Sequence, residues 1–115
     1  MSGARVISTV KISAGTSLSD PVNLSGECLA GIIIPGNWTS ADLTFRIGVG
    51  GGGLANLVSS SGAEQVFTVA PGEGYLVNPL DWAGAQYIQF RSGTSAAPVV
   101  QTQDVVLRII LWGTV

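Results

Sequence analysis

The chain has 115 residues, enough for one domain with a single apolar core, and a formal net charge of only −2. Charged residues make up 10% of it, against about 25% in an average protein, and the basic ones are scattered singly. This distribution argues against a nucleic-acid ligand, and the absence of any apolar run near the roughly 18 residues of a spanning helix argues against a membrane.

The low charge density allows two interpretations of the surface. Either partner proteins cover part of it, or hydroxyl and amide groups solvate a surface rich in Ser, Thr and Gly. The single cysteine, Cys28, lies in the apolar run CLAGIII, so we expect a buried and unreactive thiol. The first residues lack the apolar segment of a signal peptide, so we expect synthesis in the cytoplasm, with residues 1–4 loosely held.

Apolar residues recur with a period of two, the pattern of β-strands, and helical periodicity is absent. The strand candidates, in chain order, are RVISTVKI (5–12), PVNLSG (21–26), ECLAGIII (27–34), LTFRIGV (43–49), LANLVS (54–59), EQVFTVA (64–70), GYLVN (74–78), QYIQFRS (86–92) and DVVLRIILW (104–112). Turn dipeptides such as Asp20-Pro21 and Pro71-Gly72 separate them. The sequence therefore predicts an all-β fold: one antiparallel β-sandwich over residues 1–115, with about eight short strands and the jelly roll as one candidate arrangement.

Two segments between the strands favour short helical turns. They are NWTSAD (37–42) and NPLDWAGA (78–85), with Thr39 and Asn78 as candidate caps. Each carries a tryptophan, Trp38 in the first and Trp82 in the second. A tryptophan in a polar turn can contact a partner or stack on a sugar, and it can equally close the end of a sandwich. Both alternatives stay open, and the candidate partner interface includes the two tryptophans.

The glycine-rich stretch RIGVGGGGLANL resembles a phosphate-binding loop only superficially. Gly48, Gly50 and Gly53 satisfy the G-x-G-x-x-G spacing, but four adjacent glycines satisfy almost any glycine pattern. A dinucleotide site also needs a helix after the glycines and a βαβ unit, and the sequence predicts neither. We expect a hairpin loop here and no cofactor-binding residues.

The last strand candidate is apolar on both faces. One face carries Val105, Leu107, Ile109 and Leu111, and the other carries Val106, Arg108, Ile110 and Trp112. Because one face is enough for the core, we expect Arg108, Ile110 and Trp112 to contact a partner protein. The backbone of the final segment IILWGTV is also a candidate for pairing with the sheet edge of a neighbouring chain.

Catalytic chemistry finds little support in the sequence. Histidine is absent, which removes the commonest general base, the Ser-His-Asp and Cys-His arrangements and imidazole zinc sites. The seven acidic residues are spread singly, in contrast to the clustered acids of a calcium loop. A pair of carboxylates for glycoside hydrolysis is conceivable, but solvated loop acids are the better interpretation. We expect no catalytic residues, no metal site, no cofactor and no enzyme activity.

Two segments resemble a known group of proteins. They are IIIPGNWTSADLTFRIGV (32–49) and NPLDWAGAQYIQFRSGTSAAPVVQTQDVVLRIIL (78–111), and they are similar to small β-sandwich virion structural proteins of tailed bacteriophages. Members of that group commonly have a polar Asp-Gly loop after the Leu-Thr-Phe strand, where this chain has glycines 50–53. The resemblance transfers no ligand-binding residue.

The resemblance implies a capsid decoration, or cement, protein. Such a protein would be made in the host cytoplasm, sit on the capsid surface of the virion, and bind the major capsid protein or other virion proteins and itself, as a trimer. A neck, tail or fibre location is the alternative. A carbohydrate-binding module is a further hypothesis, motivated by the sandwich pattern and by Trp38, Tyr75 and Trp82 in turn contexts.

Overall fold

A computed structural model describes residues 3–24, 26–50 and 53–114. The strands are β1 (Gly3–Ile12), β2 (Val22–Asn23), β3 (Cys28–Ile33), β4 (Leu43–Gly48), β5 (Ala55–Asn56), β6 (Gly74–Leu76), β7 (Tyr87–Ser92) and β8 (Val105–Thr114), with a 3₁₀ turn at Pro79–Trp82. Of residues 1–4, the first two lie outside the described residues, and Gly3 and Ala4 begin β1.

The strands form two antiparallel sheets, in the orders β1-β8-β3-β6 and β2-β7-β4-β5. The chain passes from one sheet to the other at every connection except the one between β4 and β5, which are neighbours in the same sheet. This strand order is that of the jelly roll. The prediction of an all-β antiparallel sandwich is confirmed, and the jelly roll is the arrangement adopted.

The core lies between the two sheets and follows the period-two pattern. The inward side chains are fully or almost fully buried: Val10, Ile12, Leu29, Ile32, Val105, Leu107, Ile109 and Leu111 from the first sheet, and Leu43, Phe45, Ile88 and Phe90 from the second. At its centre, Phe45 makes edge-to-face contacts with Phe67, Trp82 and Phe90 at centroid distances of 5.0, 5.0 and 5.5 Å. Such pairs add about 0.5–1.5 kcal/mol each beyond the area they bury.

The two predicted helical turns differ in outcome. The one at Pro79–Trp82 forms, with the Oδ1 atom of Asn78 accepting from the Leu80 N–H at 3.1 Å as an N-cap. The segment 37–42 contains no helix. Its Thr39 N–H donates to Oε1 of Gln101 at 2.7 Å and its carbonyl accepts from Nε2 of Gln101 at 3.1 Å. The amide side chain therefore supplies the bonds that a helical turn would have supplied.

The segment EQVFTVA, predicted as a strand, pairs only at isolated positions. Phe67 and Leu43 exchange two backbone hydrogen bonds of 2.9 Å each, and Glu64 bridges to Val58. The short ladder still serves the core, since it holds Phe67 against the ring of Phe45.

The glycine-rich stretch connects the β4–β5 hairpin. Arg46 pairs with Asn56 and Ile47 with Ala55 in antiparallel register. Residues 53–78 contain no helix, so the glycines do not precede the helix N-terminus that a pyrophosphate site would need.

Candidate protein-interaction face

The outer face of the β2-β7-β4-β5 sheet is polar and bonded within the protein. The Arg91 guanidinium, on β7, donates to Oγ1 of Thr44 at 3.0 Å, to Oδ1 of Asn56 at 2.9 Å and to Oε2 of Glu64 at 2.8 Å. The Thr44 hydroxyl in turn donates to the carbonyl of Gly93 at 2.6 Å. The charge of this arginine is thus neutralised internally.

A second arginine on the same face is bonded in the same way. Arg46 donates to Oε1 of Gln89 at 3.2 Å and to the Leu54 carbonyl at 3.0 Å. The amide of Gln89 donates to the Ser19 carbonyl at 2.7 Å. No fully buried side-chain N or O atom in the described part of the chain lacks a hydrogen-bond partner. Both arginines of this face are therefore already held by hydrogen bonds within the protein.

The outer face of the other sheet is apolar. The register aligns Ile7 of β1 with Ile110 of β8, Ile110 with Gly31 of β3, and Gly31 with Leu76 of β6, so these four residues form one row across all four strands. Ile109 and Leu111, which flank Ile110, and Ile32, which follows Gly31, are buried in the core, and residues alternate between faces along a strand. The row consequently points away from the core.

Two adjoining rows and a strand end extend this surface. Trp112 lies beside Cys28 and Arg5, Arg108 lies between Thr9 and Ile33, and Val106 lies beside Lys11. We use the name apolar face for the outer surface formed by these residues together with the row of Ile7, Ile110, Gly31 and Leu76. Four of its aliphatic and aromatic side chains are well exposed: Leu76 86%, Ile7 56%, Val106 46% and Trp112 44%. Exposed contiguous apolar surface of this kind is typical of protein-interaction sites.

Gly31 shapes the centre of the apolar face. A Cβ atom at this position would come within 2.9 Å of Cδ1 of Ile110 and 3.2 Å of the Tyr75 carbonyl. The missing side chain therefore leaves room for Ile110 to lie against β3. Ile110 is half-buried, whereas Arg108 and Trp112, on the same side of β8, are exposed. The result is a smooth surface between Ile7 and Leu76.

The exposed positive charge of the protein is concentrated on the same face. The chain has five cationic residues, of which Arg46 and Arg91 belong to the polar face described above. The other three, Arg5, Lys11 and Arg108, are exposed and lie on the apolar face. Lys11 is 3.8 Å from Asp104, whereas within the described residues no acidic group lies within 4.0 Å of the other two. A partner that combines apolar side chains with carboxylates would complement this surface.

Trp38 and Trp82 do not belong to an exposed interface. Each is 4% exposed and belongs to the core cluster. Trp38 donates its indole N–H to the Ala41 carbonyl at 3.2 Å, and Trp82 packs on Phe45. The prediction that these two residues belong to a partner interface is corrected. Both rings extend from polar turns into the ends of the sandwich, where they pack in the apolar core.

The other three predicted interface residues lie together. Arg108, Ile110 and Trp112 are on the outward side of β8, within the apolar face. The strand itself is not an edge, since β8 pairs with β1 on one side and β3 on the other. The expectation that the backbone of its final segment pairs with a neighbouring chain is therefore corrected for residues 109–112, where both sides of the strand are paired.

Ile7 and Leu76 also belong to the apolar face, although they are not among the residues predicted from the sequence. Ile7 could have been found, since the alternation in RVISTVKI places it opposite the inward Val10 and Ile12. Leu76 could not, because β6 has only three residues and its neighbours give no alternation to follow.

A separate cleft of about 610 Å³ opens between β6 and the segment after β5. Its lining includes Tyr75, Trp82, Asp81 and Gln65. The Tyr75 hydroxyl accepts a hydrogen bond from the Ala70 N–H at 2.9 Å, which fixes the ring beside the cleft. The volume lies within the range of about 300–1,000 Å³ of small-ligand sites.

The described residues contain neither a metal-binding cluster nor a membrane-spanning helix. Among the described residues, no group of three or more His, Cys, Asp and Glu side chains is placed to hold a metal ion. In the same part of the chain, no helix has the length and apolar character needed to cross a membrane.

The overall structure is similar to that of a protein of known structure. The crystal structure of the SPBc2 prophage-derived protein YomS matches with a TM-score of 0.57 and 17% sequence identity, over 96% of this chain and 96% of that one. At this level of identity the similarity establishes a shared fold. No protein-family model matches the chain, and the comparison with curated protein sequences found no match.

Proposed function

We propose that this protein is a structural protein of a bacteriophage particle that attaches to other virion proteins through its apolar face. Its proposed place is the capsid surface, where it acts as a decoration protein that binds the major capsid protein across subunit seams. The observation that carries the proposal is the contrast between the two outer faces of the sandwich. One is polar and internally bonded, while the other exposes aliphatic side chains together with the unneutralised cations Arg5 and Arg108.

Three further observations support this proposal. The fold is shared with a prophage-derived protein along nearly the whole of both chains. The two segments quoted in the sequence analysis resemble phage virion proteins of the same architecture. The chain also lacks histidine, the commonest general base, which fits a role in adhesion better than one in catalysis.

Attachment to a capsid lattice does not require a strong individual contact. Neighbouring copies that share a lattice or an oligomer bind with an effective concentration far above that in solution, so modest contacts add up. The apolar face supplies the contact area, and its cations select a partner surface that carries carboxylates.

The proposal is tested by co-sedimentation with phage heads that lack decoration. The informative variant is Val106→Asp, on the apolar face, and the matched control is Val100→Asp, outside it. The two valines have similar exposure, 46% and 54%, so both changes add one negative charge at a half-exposed position. We expect wild type and Val100→Asp to co-sediment and Val106→Asp to remain in the supernatant.

Other outcomes have defined meanings. Binding to isolated tails and not to heads would move the protein to the tail or neck and refute the capsid location. Equal binding of both variants would remove the apolar face from the proposal, and failure of the wild type to bind any virion fraction would refute the proposal as a whole.

The cleft beside Tyr75 supports a second candidate, carbohydrate binding on a tail or fibre. An aromatic ring beside carboxylate and amide side chains is the combination that binds neutral sugars, and Asp81 and Gln65 provide it here. A glycan array with wild type and Asp81→Ala tests this candidate. Trp82→Ala is unsuitable, because that ring is part of the core. A signal that is unchanged in Asp81→Ala would exclude the cleft.

A further inference from the structure

The free side of β1 is a long sheet edge that neither a proline nor a bulge interrupts. Within the part of the chain that the structure describes, β1 pairs only with β8, and its ten residues run from Gly3 to Ile12. The other three edge strands, β2, β5 and β6, have two, two and three residues. Proteins protect long edges with proline, bulges, inward-pointing charges and charged edge side chains, lysine above all. β1 contains no proline and its register with β8 is continuous, so its protection is limited to the two cations Arg5 and Lys11.

We propose that β1 pairs antiparallel with β1 of a second copy, about a two-fold axis, to form a dimer. A pair of identical antiparallel edges is isologous, so it closes after two copies. The trimer expected from the sequence remains a prediction, and the β1 edge instead favours a dimer. The inference goes beyond the proposed attachment to virions and does not depend on it.

The residues of β1 determine the register of this pair. In β1 the odd-numbered residues point outward and the even-numbered residues point inward. The two copies must present the same face on the same side of the joined sheet, so each odd-numbered residue must lie opposite an odd-numbered residue of the second copy. Two of these use most of the strand: one places Ile7 opposite Ile7 of the second copy, and the other places Ser8 opposite Ser8. The second would put Arg5 opposite Lys11 twice, and like charges directly opposite are destabilising.

The register centred on Ile7 avoids this repulsion. It pairs Arg5 with Thr9 of the second copy and Lys11 with Gly3, so no two charges are directly opposite. The two Ile7 side chains, each 56% exposed in one copy, meet at the axis. Branched aliphatic pairs of this kind stabilise neighbouring strands.

The dimer extends the apolar face across the axis. The row of Ile7, Ile110, Gly31 and Leu76 in one copy becomes continuous with the same row of the second copy, because the two Ile7 residues are neighbours. The result is one eight-stranded sheet with a single apolar surface. A partner with two equivalent patches would meet both halves at once.

Sedimentation equilibrium and register-specific cross-linking test the inference on the full chain. An edge pair buries less than the standard interface of about 1,600 Å², so we expect a dissociation constant of about 10–100 µM. Ile7→Lys places two like charges opposite each other and removes the apolar pair, so it should weaken the dimer at least about tenfold. Leu76→Lys, at the far edge of the same face, is the matched control and should leave the dimer unchanged.

The register is read by single cysteines in a Cys28→Ser background, with a short thiol cross-linker. Ile7→Cys should cross-link efficiently to Ile7→Cys of the second copy, whereas Thr9→Cys, which lies opposite Arg5, should not. A monomer at all concentrations up to about 1 mM, a trimer, or equal weakening by Leu76→Lys would overturn the proposal. Preferential cross-linking of Thr9→Cys would do the same. None of these outcomes would affect binding to phage heads, which the co-sedimentation experiment measures separately.

Discussion

Substitution of Glu64 by alanine removes the carboxylate that pairs with the buried guanidinium of Arg91 on the polar outer face. The Arg91 side chain is only 8% exposed and keeps two neutral acceptors, Thr44 and Asn56, when the carboxylate at 2.8 Å is removed. Its positive charge would then lie largely desolvated with no counter-charge, the arrangement that makes broken buried ion pairs costly.

The expected loss of stability follows from this geometry. Removal of one partner from a buried pair costs about 3–5 kcal/mol. Because the Glu64 side chain is 19% exposed, the lower part of that range applies, about 3 kcal/mol. At about 2.1 cal/mol/K of unfolding entropy per residue, 115 residues give about 0.24 kcal/mol/K, so the melting temperature should fall by about 12 °C.

The reciprocal change should cost less. In Arg91→Met, the Glu64 carboxylate still accepts from the Ser95 N–H at 3.1 Å and reaches solvent, while Thr44 still donates to Gly93. The apolar methionine replaces the stem of the arginine. We expect the double variant Glu64→Ala/Arg91→Met to be more stable than Glu64→Ala alone, since it no longer contains an unpaired charge.

Urea unfolding and calorimetry of the three variants provide the measurement. Because the pair is mostly buried, the difference between wild type and Glu64→Ala should persist at about 1 M salt, where exposed pairs are screened. A loss below about 1 kcal/mol for Glu64→Ala would contradict the reasoning and would match an exposed pair instead. So would an Arg91→Met variant that is less stable than Glu64→Ala.

Three further predictions concern backbone geometry and the glycine stretch. Gly93→Ala should destabilise by more than about 3 kcal/mol in urea unfolding, since φ is +88° and the new Cβ would lie 2.6 Å from two backbone atoms. Gly62→Ala, with the same φ and open space around it, should cost only about 1–2 kcal/mol, and equal losses would exclude the steric explanation. Gln101→Leu, at a position that is 0% exposed, should lower the free energy of unfolding by about 1–3 kcal/mol, because the N–H and the carbonyl of Thr39 both lose their hydrogen-bond partner; unchanged stability would refute this. Nucleotides such as ADP or NAD should leave the melting temperature unchanged, and a concentration-dependent rise would reopen the hairpin glycines as a binding loop.

The sequence predicts the fold well where alternation is long. Alternation predicts the two faces of β8 residue by residue, and the structure places Val105 and Leu107 in the core and Arg108 and Trp112 outside. The same pattern predicts the inward side of β4. Short strands such as β2 and β5 have two residues each, so their pairing depends on tertiary context that no local pattern contains.

The candidate site is predicted only in part, for a related reason. A surface that spans four strands depends on register, and register between distant segments is not visible in the sequence. Ile7 and Leu76 therefore join Ile110 only when the sheet is assembled. Trp38 and Trp82 were candidates for the face and do not belong to it. A polar turn in the sequence does not show whether its aromatic ring faces solvent or packs on the core.

The polar face shows a further limit of alternation. Gln89 and Arg91 alternate with Ile88 and Phe90 as if they faced solvent, yet both polar side chains are buried. The groups that cover them come from elsewhere in the chain, including Glu64. A period-two pattern distinguishes the apolar side of a strand from its polar side. It does not show whether the polar side is exposed to solvent.

The pairing of β1 with β8 has a consequence for how the protein is made. Six other strands separate these two along the chain, and in the described structure β1 has no other partner within its own molecule. While a ribosome is adding the intervening residues, the earliest strand must wait unpaired, exposed to chaperones and to other nascent chains. Completion of the first sheet is therefore a late event in synthesis, and refolding should be slow for a domain of this length.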